Sequence, residues 1–129
     1  MSETRVLDDE ISGRIAWRGE DLGPDDGHLI LTPACLAELD ALVSELSQNP
    51  LPLPALRPDD FELPASWALM QKAREGLEEG VGFVLIDRLP MDRWSREQAK
   101  AAYWLLCSMV ERPVAQKWDG TMIYDVRDI

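Results

Sequence analysis

The sequence is poor in the side chains that most often build reactive centres. It has a single histidine, His28, and two cysteines, Cys35 and Cys107. A protein metal site needs several convergent ligands. His28 shares the loop "EDLGPDDGH" with Asp25 and Asp26, and a loop lacks the fixed spacing that a helix or strand pair gives, so these three read as a solvated turn. The cysteines are not at zinc spacing, no glycine-rich phosphate loop is present, and no serine occupies a nucleophile elbow. Both cysteines fall on apolar faces of expected helices, which predicts two reduced, buried thiols.

Long apolar runs are missing too. None approaches the roughly 18 residues a membrane-spanning helix requires, and the start "MSETRVLDDE" has neither the basic end nor the apolar stretch of a signal peptide. A cytoplasmic protein is the expectation. Positive charge is scarce, with 13 Lys and Arg against 24 Asp and Glu for a net charge of −11. Residues 1–62 hold 14 acidic and 4 basic side chains, residues 63–129 hold 10 and 9. Such a surface repels phosphate backbones and anionic lipid, so neither nucleic acid nor membrane is an expected partner.

What is present points to one modest core. The chain has 129 residues, 46% of them hydrophobic, enough for a single unit. Residues 1–13 are acidic without periodicity and read as a flexible tail; residues 14–129 form the expected domain. "RIAWRG" (14–19) predicts a short strand. Thr32 as cap and Pro33 at the first turn open a helix carried to about residue 47 by Leu36, Leu39, Val43 and Leu46. The proline-rich "NPLPLPALRP" (49–58) is a crossing loop, packed by Leu51, Leu53 and Leu56. A second helix spans about 64–79, with Trp67, Met70, Ala73 and Leu77 on its inward face and Gly80 ending it. "GFVLI" (82–86) reads as a strand covered on both faces.

A third helix covers about 95–110, opened by a Ser95/Gln98 capping box with Trp94 as a staple. Its inward stripe is Ala99, Ala102, Tyr103, Leu106, Met109 and Val110, and Trp104 and Leu105 widen that stripe. "VAQKW", "DG" and "TMIYDV" predict a hairpin. The expected core includes Trp67, Leu77, Phe83, Leu85, Tyr103 and Leu106. Glu75, Glu78 and Glu79 share the second helix with Lys72 and Arg74, where solvated ion pairs account for them. The residues by themselves define an acidic α+β unit with no catalytic constellation.

A resemblance adds a function. "AWRGEDL" (16–22), "LTPACLAELDALVSEL" (31–46), "LRPDDFELP" (56–64), "GVGFVLIDRLPMDRWSREQAKAAYWLL" (80–106), "RPVAQKWDG" (112–120) and "DVRD" (125–128) together resemble the N-terminal part of the TauD/TfdA family. Members of that family are iron(II)- and 2-oxoglutarate-dependent oxygenases. The resemblance implies an α+β fold that is the N-terminal helical and strand layer of a double-stranded β-helix, or jelly roll, incomplete in this chain. It also implies Fe(II) and 2-oxoglutarate as cofactors, held in the family by a His-x-Asp pair, a distant His and a later Arg. All lie downstream of the matched segment, so no residue here takes a metal or catalytic role, and neither cofactor is expected to bind this chain alone.

The expected partner is therefore a C-terminal half carrying the iron ligands, or a second copy through self-association, with a small molecule as substrate of the assembled enzyme. In the family the strand and loop before His-x-Asp form one wall of the substrate pocket. The matching positions give Gln116, Trp118 and Arg127 as substrate-binding residues. The alternative expectation is a non-catalytic small acidic binding or scaffold domain.

Overall fold

The computed structural model describes residues 8–126. Three helices dominate: α1 (Pro33–Gln48), α2 (Pro64–Glu78) and α3 (Arg96–Val110). They pack mutually. Two short strands, β1 (His28–Leu29) and β2 (Leu85–Ile86), pair in parallel, with His28 opposite Leu85 and Leu29 opposite Ile86. α1 and α2 form the crossover between them, as a parallel pair requires. The architecture is mixed α and β, with a small sheet beside a helical layer. No helix among the described residues is long and apolar enough to cross a membrane.

The helix starts follow from local chemistry. The Thr32 hydroxyl accepts the Cys35 amide at 3.1 Å, and Pro33 fills the first helical position, where no N–H is needed. Ser95 and Gln98 close the expected box: the Gln98 amide donates to Ser95 Oγ at 3.2 Å and the Ser95 amide to Gln98 Oε1 at 2.8 Å. The Trp94 ring is buried beside them, and its Nε1 donates to Asp40 of α1 at 2.8 Å. Asp40 also accepts from Nε and Nη2 of the Arg93 guanidinium, at 3.2 and 2.7 Å.

The core is built from Leu39, Leu42 and Val43 of α1, Leu69, Met70 and Ala73 of α2, and a wide face of α3 from Ala99 to Met109. Trp104 and Leu105 are both buried, so α3 is covered on more than one side, as its composition predicts. Trp104 Nε1 donates to the Leu56 carbonyl at 3.1 Å, which ties the proline-rich crossing to α3. Only part of that crossing packs: Leu56 is buried, Leu53 partly so, and Leu51 is exposed.

Several expectations are corrected. Residues 14–19 form no strand. Trp17 Nε1 donates to the Val81 carbonyl at 2.9 Å, its ring meets Phe83 edge-on at 5.1 Å, and Arg14 donates to the Glu78 carbonyl. These anchors lay the segment across the end of α2, where it has no strand to join, and a short 3-10 turn (Gly19–Asp21) follows. Of the six expected core residues only Leu106 is fully buried. Trp67 is partly buried and packs on the core, and Phe83 is half-buried.

Leu77, Leu85 and Tyr103 are exposed. Leu77 shares the face of Ser66, Met70 and Ala73, but it sits in the last turn of α2, past the buried residues of that helix, and is exposed there. Leu85 fails because the two-stranded sheet is covered only on the face where Val84 and Ile86 meet the helices. β2 itself is two residues long, not five. His28 lies in β1 instead of a free loop. Gly27, at φ +69°, precedes it, and a Cβ there would come within 2.7 Å of the Phe83 ring. That close approach and the left-handed backbone both require glycine.

The Asp-Gly turn forms but the hairpin does not. The Gly120 amide donates to the Lys117 carbonyl at 3.0 Å, and the Gln116 amide to that of Thr121 at 2.7 Å. Beyond Thr121 the arms part, because Ile123 packs against the helical core and Asp125 pairs with Lys100 of α3.

Candidate functional site

A groove of about 840 Å³ runs between α3 and the segment 111–126, within the size range of ligand sites. One wall is a stripe of α3, Arg96, Lys100, Tyr103 and Cys107, spaced by four, three and four residues so that all lie on one helical face. The other wall is the returning segment, with Gln116, Met122 and Tyr124. Lys100 Nζ spans the two, 2.7 Å from Asp125 and 3.8 Å from Glu97. Lys117 stands 4.8 Å above the Tyr124 ring, within cation–π range.

The thiol and the phenol of the groove favour their neutral states. Cys107 is open to solvent at its edge, which corrects the expectation of a second buried thiol. Its sulfur is hemmed by the groove, and that desolvation pushes the thiol pKa up against the lowering effect of a hydrogen bond with Tyr103. The Tyr103 phenol is raised by the charge that Cys107 would carry if ionised, then by its own burial and the bond to that thiol. A raised thiol is a poor nucleophile at neutral pH, so this pair supplies contact and hydrogen bonding.

The expected substrate residues are dispersed. Gln116 lines the groove, its Nε2 donating to the Val114 carbonyl at 3.2 Å. Trp118 is 100% exposed at the turn and is not part of the lining. Arg127 lies outside the described residues. Arg96, Lys100 and Cys107 were not expected as one wall, although they stand seven, three and four residues from Tyr103; a Tyr103 that reads as core conceals the stripe.

A second polar cluster is structural. Glu38 of α1 accepts the amides of Ala65 and Ser66 at 2.7 and 2.8 Å and the Ser66 hydroxyl at 3.0 Å. Cys35 Sγ lies 3.4 Å from Ser66 Oγ. Burial pushes the Cys35 thiol up, Ser66 lowers it, and the Glu38 carboxylate raises it further. With Cys35 and Ser66 both fully buried, the cluster is closed to a substrate.

The residues present do not fit the ferrous centre that the resemblance implies. Such a centre takes two histidines and a carboxylate. His28 Nε2 is 4.0 Å from Asp87 Oδ1, and among the described residues no three His, Cys, Asp or Glu side chains converge on a metal position. No protein-family model and no characterised protein matches the chain.

Proposed function

We propose that this chain is the N-terminal helical layer of a TauD-like iron(II)- and 2-oxoglutarate-dependent oxygenase acting on a small molecule, with iron and 2-oxoglutarate held by a C-terminal half outside these residues. The ordered motif set supports the family. The observation that carries the incompleteness is the half-covered sheet: parallel strands are normally buried on both faces, yet Leu85 is 61% exposed on β2 and Ile30 65% exposed just beyond β1. A second β layer would cover that face and give the jelly roll. Gln116, at the rim of the α3 groove, is the substrate contact this reading retains. Purification of the protein from its own cells tests the reading. The expected preparation contains, in the same chain or a tightly bound one, a His-x-Asp pair and a distal His; a preparation holding only residues 1–129 as a stable monomer contradicts it.

A second reading, a small acidic binding domain without catalysis, has its own support. The groove is formed entirely within this chain and offers cations in a molecule whose net charge is −11.

A further inference from the structure

We propose that the α3 groove binds an extended peptide with acidic ends, taken up as an added strand along residues 122–124. The inference concerns residues 8–126 alone and stands apart from the oxygenase reading. Its first support is charge. Arg96 begins α3 and Arg112 follows its end, and neither guanidinium has a carboxylate partner among the described residues. Lys100 is already committed to Asp125 and Glu97, so the two arginines are the groove's open cations.

Their separation selects the ligand. A helix of 15 residues spans about 22 Å at ~1.5 Å per residue, too far for one small carboxylate to reach both. An extended chain covers that distance in roughly seven residues. Acidic side chains at its two ends would meet Arg96 and Arg112, and guanidinium groups pair well with carboxylates.

The second support is the backbone. Met122, Ile123 and Tyr124 make no backbone hydrogen bond to another described residue, although Ile123 is packed on the core and Lys117 lies over Tyr124. The segment belongs to no strand of the sheet, yet it is held in place with backbone groups that no described residue satisfies, and an extended guest can pair with such groups as peptides do along a sheet edge. Tyr103 of α3, 55% exposed, and Met122 and Tyr124, 39% and 52% exposed, offer apolar surface to alternate side chains of the guest.

The test uses the full chain and a fluorescein-labelled peptide, Asp-Val-Thr-Val-Thr-Val-Asp, read by anisotropy. Saturable binding is expected, weakened about tenfold or more when both Arg96→Glu and Arg112→Glu are introduced, and by a similar factor when Lys replaces both Asp of the peptide. Glu at the first turn of a helix is favourable to the dipole and Arg112 is exposed, so the variant keeps its fold, verified by circular dichroism. Two further peptides carry N-methyl groups on alternate amides, one on each set; strand addition uses one set only, so one peptide should fail and the other bind. Absence of binding, equal binding of the lysine-ended peptide, or equal binding of both methylated peptides would overturn the proposal.

Discussion

Glu38 stabilises the start of α2 more directly than any residue of α2. The cap position of that helix is Leu63, which has no side-chain acceptor, so the first amides are satisfied from α1 by a carboxylate that also suits the positive end of the helix dipole. Replacing Glu38 by Ala leaves the buried Ser66 hydroxyl and two amides short of an acceptor, at a cost of roughly 1–3 kcal/mol. Glu38→Gln keeps one acceptor and should cost less. Denaturant unfolding of both variants measures this; equal, negligible losses would mean water replaces the carboxylate. No sequence pattern announces this cap, because its partners are 27 and 28 residues apart.

The two thiols give a second test at the same scale. Cys107 is exposed and Cys35 fully buried, so an alkylating reagent should modify Cys107 in the native protein, slowly at neutral pH and faster as pH rises because its pKa is raised, and Cys35 only on unfolding. Mass spectrometry of the native protein showing both thiols modified at similar rates would contradict the packing around Cys35. Because folding raises the Cys35 pKa, the folded state holds that proton more tightly than the unfolded chain. Its contribution to stability is therefore whole below the free-thiol pKa of about 8.5 and falls as pH rises beyond it. Cys35→Ala should flatten that alkaline loss in unfolding midpoints measured from neutral pH upward.

Among the elements, α3 was the most legible in the sequence and the most consequential to misread by one face. Its cap, its extent and its double-sided burial follow from Ser95, Gln98, Trp104 and Leu105. Tyr103 continues an apolar spacing and so reads as inward, but its hydroxyl and the neighbouring Lys100 and Cys107 belong to the groove stripe. Leu106→Ala should cost roughly 2–5 kcal/mol by opening a core cavity, whereas Tyr103→Ala, outside the core, should change stability by less than about 1 kcal/mol. Thermal or denaturant unfolding distinguishes them, and a Tyr103 loss matching that of Leu106 would return the tyrosine to the core.

The strands were less legible than the helices, since a strand of two residues is defined by its partner and not by its own pattern. "GFVLI" reads as a strand covered on both faces, yet Leu85 faces outward because only one layer covers the sheet. The Asp-Gly turn was legible, and Asp119 reinforces it by accepting the Thr121 amide and hydroxyl at 3.0 and 2.7 Å, bonds that lower its carboxyl pKa. The parting of the arms was not legible, because it is set by the ion pair of Lys100 with Asp125, 25 positions away.

At the scale of the whole molecule the proposed oxygenase reading amounts to a division of labour: these residues form a helical layer and a groove, and oxygen chemistry would belong to another segment. The shape of the core is consistent with such a layer, three mutually packed helices closing one face of a sheet whose other face carries exposed Leu85 beside Ile30. One histidine cannot complete a ferrous site, so under the proposed oxygenase reading turnover requires iron ligands from outside residues 1–129. The most direct measurement is succinate release from 2-oxoglutarate under air with added Fe(II), for residues 1–129 alone and for the protein as purified from its own cells. Turnover by the purified protein and none by residues 1–129 is the expected result; succinate formed by residues 1–129 alone, or by neither preparation, contradicts it.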